Sequence, residues 1–173
     1  VNVYSHRHYD SDKILFKKFE ETTGIKVNIV TAKAEELVSK LAIEGENTPA
    51  DVLITADIGN LYEAKSRNLL QTIDSNTLNT NIPAHLRDAN KEWFALTKRA
   101  RIFVYNPEKI NEADLSDYLS LTNPKLKDKI ITRSSTNAYN KALLASIIAN
   151  HGEAKALEFT KGLVANFARD PKG

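Results

Sequence analysis

Ile25-Lys26-Val27-Asn28-Ile29-Val30 alternates apolar and polar side chains with a period of two, and then the period changes. Ala34, Leu37, Val38, Leu41 and Ala42 recur at helical spacing, and Gly45 follows them. The first pattern marks a strand and the second an amphipathic helix. Thr31 stands where a helix cap is expected, and Asn47-Thr48-Pro49 reads as a turn. Asp51-Val52-Leu53-Ile54-Thr55 then reads as a buried strand, and Asp57 as the cap of a helix running to about Arg67.

The same alternation extends toward the start of the chain. Residues 1–5 read as a strand. Residues 11–22 read as a helix capped by Asp10 or Ser11, with Ile14, Leu15, Phe16 and Phe19 on its apolar side and Gly24 as its stop. The resulting order, β-α-β-α-β-α, is that of a parallel sheet covered by helices. Downstream, residues 72–90 are polar and contain Pro83, and read as a long connection. Residues 93–96 and 101–105 read as two further strands, broken by Asn106-Pro107.

A second group of elements follows. Residues 115–121 read as a short helix ended by Asn123-Pro124, and residues 130–132 as a strand. Asn137 caps a helix bearing Leu143, Leu144, Ile147 and Ile148, and Gly152 interrupts it. A last helix carries Leu157, Leu163, Val164 and Phe167 and stops at Asp170-Pro171. Two α/β lobes are therefore expected, residues 1–105 and residues 106–173. The second has one strand, too little for a sheet, and reads as partial.

Composition narrows the function classes. With 42% hydrophobic and 27% charged residues, the 173-residue chain has the make-up of a globular protein rather than a disordered one. No apolar run approaches the ~20 residues of a membrane-spanning helix. The 24 basic and 22 acidic residues nearly cancel, which leaves no broad basic surface for nucleic acid. The absence of cysteine excludes disulfides, thiol nucleophiles, zinc–thiolate sites and iron–sulfur clusters. No methionine is present, and the chain opens directly on a strand. Removal of a signal peptide, or trimming of the chain, gives such a start.

Two stretches concentrate ligand-type side chains. Tyr4-Ser5-His6-Arg7-His8-Tyr9-Asp10 follows the first strand, where open α/β sheets bind ligands. A polar loop with locally packed rings would have the same sequence. Arg133-Ser134-Ser135-Thr136-Asn137-Ala138-Tyr139-Asn140 precedes a helix start, where free backbone N–H groups and hydroxyls suit an anion. Ordinary capping is the alternative. Lys98-Arg99-Ala100-Arg101 enters the strand at 102–105. Arg101 is a candidate to neutralise an anion, with an ordinary basic surface turn as the alternative, the reading favoured for Lys98 and Arg99. His85 and His151 are isolated and read as solvated. There is no phosphate loop and no hydrolase elbow.

A cleft between two lobes would bring the two stretches face to face. Phenolate and anion oxygens suit a hard, highly charged cation, and imidazole tolerates iron, copper, nickel or zinc. Because tyrosine ordinarily titrates near 10, a trivalent ion displaces the phenolic proton more readily than a divalent one. If a metal is bound, this chemistry favours ferric iron.

The order Tyr-Ser-His-Arg-His-Tyr-Asp-Ser-Asp at residues 4–12 resembles the periplasmic ferric-iron-binding proteins of bacterial ABC transporters. Gly24-Ile25-Lys26-Val27, Pro49-Ala50-Asp51-Val52-Leu53, Lys98-Arg99-Ala100-Arg101 with Val104-Tyr105-Asn106, Arg133-Ser134-Ser135 with Asn137 and Tyr139-Asn140, and Gly162-Leu163-Val164-Ala165-Asn166 agree in order. The resemblance implies a two-lobed type II periplasmic-binding-protein fold, transferrin-like, of which this chain is an N-terminal portion with an incomplete second lobe. It implies His8, Tyr9 and Tyr139 as ligands of Fe(III), and Arg101, Ser134, Ser135 and Asn137 around a synergistic anion such as carbonate. The family carries an adjacent tyrosine pair further along, beyond Gly173.

The implied function is capture of ferric iron in the periplasm and its delivery to an ABC-type permease, without covalent chemistry. The implied full-length protein is a monomer with its signal peptide removed, and the chain's partner is the rest of its own fold. A solute-binding protein of the same fold for a small organic ligand or anion is the alternative. A metal-dependent enzyme using His6 and His8 is a remote one, because no carboxylate is placed as a general base.

Overall fold

The computed structural model describes residues 1–172; Gly173, the last residue of the expected second lobe, lies outside the described residues. The chain parts into two compact units between Lys98 and Arg99. The sequence reading set its division near Asn106.

The first unit is built on a three-stranded parallel sheet in the order β2-β1-β3. Strand β1 is Asn2–Ser5, β2 is Asn28–Thr31 and β3 is Val52–Ile54. The central strand pairs Val3 with Ile29 on one side and with Val52 on the other. Val3, Tyr4 and Ser5 are buried, so the loop that follows leaves from a fixed base. Helix α2, Ala34–Glu44, packs Leu37 and Leu41 against Tyr4, with Ala32, Ala50, Leu53 and Leu69 around them. Its buried residues Ala34, Leu37, Val38 and Leu41 are those of the predicted stripe.

Helix α1, Asp10–Thr23, and helix α3, Ile58–Ser66, complete the β-α alternation. Asp57 caps α3 as expected, accepting from the Gly59 N–H at 2.8 Å. Three readings need correction. Helix α1 starts after Tyr9, not after Asp10 or Ser11, and none of its residues is buried; Ile14 is 69% exposed. Thr31 does not cap α2, because it is used in the ladder opposite Ser5, and Lys33 takes the cap position. Strand β3 is only half-buried, with Val52 exposed, since it is an edge of this sheet.

The connection at 72–90 is more ordered than its polarity predicts. It contains helix α4, Asn76–Asn81, capped by Ser75, and a 3-10 turn at Ala84–Leu86. The strand expected at 93–96 contracts to one antiparallel bridge, Arg87 with Phe94. The tip of this hairpin is drawn toward Lys65, whose ammonium lies 2.7 Å from both Asp88 and Glu92 carboxylates.

The second unit is organised by one long helix, α5, Ala138–Ala165. Asn137 caps it, accepting from the Tyr139 N–H at 3.0 Å. The predicted interruption at Gly152 is present: its φ of 82° is a left-handed value that breaks the helix into two arms. Ile147, Ala156 and Phe159 form the core with Tyr118, Leu119, Leu121, Leu143 and Leu163. Gly162 lets the turn at Leu119–Thr122 approach closely, since a Cβ there would lie 2.7 Å from Thr122 Cβ.

The strand at 101–105 does not form, and that at 130–132 is one bridge, Ile130 with Phe167. Ile102 and Val104 are 72% and 92% exposed. Their β-branched pattern has no ladder partner among the described residues, and a strand is defined by its partner. The helix expected at 115–121 is replaced by 3-10 turns at Glu112–Asp114 and Leu119–Thr122. Phe167 lies beyond the end of α5 rather than on it. Among the described residues no helix is long and apolar enough to cross a membrane.

Candidate functional site

Each unit carries one of the two donor-rich loops. In the first unit the loop leaves the carboxyl end of β1, and the His6 N–H still follows the ladder, donating to Ile54 O at 2.9 Å. Ser5 Oγ then turns the chain: it accepts from the Arg7 N–H and donates to the Arg7 carbonyl, both at 3.1 Å. Arg7 Nε and Nη2 donate to the two carboxylate oxygens of Asp12 at 3.0 and 2.8 Å. Such a two-point, charge-assisted contact fixes orientation as well as distance. It holds the Asp12 carboxyl below the usual carboxylate range, chiefly through the hydrogen bonds from Arg7.

His8 and Tyr9 lie between these fixed points. Both are exposed, and their rings stack with centroids 5.3 Å apart. The Arg7 guanidinium stands 5.2 Å from the Tyr9 ring, and the Tyr9 carbonyl accepts the Asp12 N–H at 3.0 Å as the first turn of α1 closes. The expected pair is thus brought together on one unit. His6 is set apart from it: its Nδ1 is buried with no hydrogen-bond partner among the described residues.

In the second unit Tyr139 sits in the first turn of α5. Arg99 donates to its hydroxyl, and the Arg99 and Arg133 guanidiniums stand 5.8 and 5.6 Å from its ring. Arg101 Nη1 donates to Asn140 Oδ1 at 2.9 Å. The Asn140 amide also ties down the loop ahead of the helix, donating to Arg133 O at 2.5 Å and to Ser134 O and Thr132 Oγ1 at 3.3 Å. Ser134 Oγ is 2.7 Å from Thr136 Oγ1, and Ser135 is exposed. Asn137 spends its side chain on the Tyr139 N–H and donates its own N–H to Ser134 O at 3.1 Å.

Tyr139, Arg101, Ser134 and Asn137 therefore gather around one helix start. The residues that sequence reasoning passed over are Arg99, read as surface, and Arg133, Asn140 and Asp12, given no role. A signal for the first was present. In extended chain, residues two apart share a face, so Arg99 and Arg101 point the same way and reach the adjacent residues Tyr139 and Asn140. His85 and His151 are exposed, as expected of solvated residues. Among the described residues no three His, Asp or Glu side chains converge as a metal cage.

A parallel α/β sheet with ligand-type side chains beyond its strand ends, and a capped helix start lined with guanidiniums, define a solute-binding class of the type II periplasmic fold. The sequence pattern of the family described as "Bacterial extracellular solute-binding protein" matches residues 6–154, and the chain belongs to that family. It is 46% identical to iron uptake protein A1 of Synechocystis sp., over 100% of this chain and 48% of that protein. Among solved structures it matches a ferric binding protein from Campylobacter jejuni with a TM-score of 0.94 and 52% identity, covering 100% of this chain and 55% of that one. It also matches the Trichodesmium IdiA/FutA protein in complex with iron and citrate ligands, with a TM-score of 0.93 and 47% identity over 100% of this chain and 55% of that one. The chain spans about half the length of the relatives it matches.

Proposed function

We propose that this chain is part of a periplasmic protein that binds ferric iron and delivers it to an ABC-type permease in the membrane. The observation that carries this reading is the pair of loops: His8 and Tyr9 stacked beyond β1, and Tyr139 at the start of α5 among arginines. Phenol oxygens are the donors for a hard trivalent ion, and His8 adds one borderline nitrogen. The ion itself drives loss of the phenolic protons. His8, Tyr9 and Tyr139 are the ligands this reading assigns.

An anion belongs to the same reading. A synergistic anion such as carbonate is favoured near Arg101, Ser134, Ser135 and Asn137, where the Arg101 and Arg133 guanidiniums stand at a helix start. Binding and release require no covalent step, so the protein acts as a carrier. The names of its relatives agree with this cargo.

The test uses the full-length protein. Ferric citrate with bicarbonate is expected to give a visible phenolate-to-iron band that Tyr139→Phe shifts and weakens. An unchanged spectrum in that variant removes Tyr139 from the ligand set. No band at all, with calorimetric heat from phosphate instead, would transfer the function to an anion-binding protein of the same fold.

A further inference from the structure

We propose that Arg7 and Asp12 are positioning residues for the ferric site, a clamp that closes the loop carrying His8 and Tyr9 and sets the direction of the Tyr9 phenol. The inference rests on the ferric reading above. Its basis is how the six residues 7–12 are fastened. One end is pinned to buried Ser5, whose hydroxyl bridges the N–H and carbonyl of Arg7 at 3.1 Å each. The other end is pinned by the first turn of α1, where the Asp12 N–H reaches the Tyr9 carbonyl. The two ends are then joined to each other by the two-point Arg7–Asp12 contact at 3.0 and 2.8 Å.

Tyr9 is the residue of this loop with contacts to both neighbouring side chains, Arg7 and His8. Its backbone is the cap position of α1, and its ring has the Arg7 guanidinium on one side and the His8 ring stacked against it. A guanidinium over an aromatic face restricts the ring and is attracted to it. Arg7 and Asp12 are each less than one-fifth exposed, unlike the surface pairs elsewhere on α1. Exposed pairs of that kind contribute little. Arg7 also reaches Thr97 Oγ1 at 3.5 Å, a weak third anchor. Neither Arg7 nor Asp12 touches the iron in this scheme. They act through Tyr9, as outer-shell partners orient metal ligands generally.

The experiment compares full-length wild type with Asp12→Asn, Arg7→Gln, Arg7→Lys and Tyr9→Phe, and with Asp12→Asn in the Tyr9→Phe background. Each is loaded with ferric citrate and bicarbonate. The visible band and the rate of iron loss to a competing chelator are measured beside thermal unfolding. Asp12→Asn and Arg7→Gln are expected to shift or weaken the band and to speed iron loss by about 10–100-fold. Arg7→Lys, which keeps the charge and loses the fork, should fall between them and wild type. In the Tyr9→Phe background Asp12→Asn should change the release rate little, because the group being positioned is gone.

A wild-type protein without a band defeats the ferric reading itself. A wild-type band with unaltered release in folded Asp12→Asn and Arg7→Gln defeats the clamp alone. If those two fail to fold, Arg7→Lys decides: wild-type band and release in that variant overturn the proposal. An equal Asp12→Asn effect with and without the Tyr9 hydroxyl also overturns it, since it would show general loosening rather than positioning.

Discussion

The loop after β1 and the loop before α5 each present a tyrosine at a helix start, yet they are held in opposite ways. The first is closed by an ion pair, so its arginine is answered by a carboxylate. The second is closed by an amide: Asn140 gathers the backbone of Arg133 and Ser134 while its oxygen receives Arg101. Around Tyr139 the guanidiniums meet a phenol and an amide. The first loop is thus braced by an ion pair, and the second by an amide, with guanidiniums beside its tyrosine. Under the proposed function the two loops divide their work: the first aims a donor, and the second draws negative charge.

The comparison is broken most severely by removing a donor. In the full-length protein Tyr139→Phe should shift and clearly weaken the phenolate-to-iron band, leaving the part that Tyr9 supplies. Arg101→Gln should leave that chromophore in place while raising the bicarbonate needed to form it, as read by titration in the visible.

Next in size are the foundations of the two loops. Leu37 is fully buried against Tyr4 under the first loop. Leu37→Ala is expected to cost about 2–5 kcal/mol in chemical denaturation. Gly162→Ala should cost about 1–3 kcal/mol by driving a methyl group into Thr122 beneath α5. A loss confined to exchange protection of α2 in the first variant and of α5 in the second would sharpen the contrast between the loops. Equal losses everywhere would blur it.

Much of this was legible because it is local. The stripe of α2, the caps Asp57 and Asn137 and the break at Gly152 each follow from residues within a few positions of one another. The failures are non-local. Residues 93–96, 101–105 and 130–132 have strand composition, but a strand exists only with a partner, and they have two single bridges among them. Helix α1 has the apolar pattern of a core helix, and nothing among the described residues buries it. At the site, His8, Tyr9 and Tyr139 stood out by residue type. Their supports did not, because Asp12 looks like any first-turn acid and Asn140 like any helix residue until their partners are known.

Smaller effects concern the braces. Asn140→Ala removes the amide that ties down the second loop and should lower thermal stability by about 1–2 kcal/mol. Acid probes the hairpin beside α3. The Asp88 carboxyl is held below the usual range, first by the hydrogen bond from Lys65 and then by the N–H groups of Glu92 and Asn90. A depressed carboxyl stabilises the folded state above its unfolded value of about 4, and that contribution is lost as pH falls through the folded value. Denaturation midpoints should therefore drop as pH is lowered below about 4, and Asp88→Asn should flatten that slope.

The most direct test of the division of labour is resonance Raman scattering from the ferric-loaded, full-length protein, excited within its visible band. Wild type should show tyrosinate ring modes that lose intensity in Tyr9→Phe and again in Tyr139→Phe, one phenolate from each loop. Tyrosinate modes left intact by Tyr9→Phe would contradict the account, because the braced loop of the first unit would then supply no phenolate to the iron.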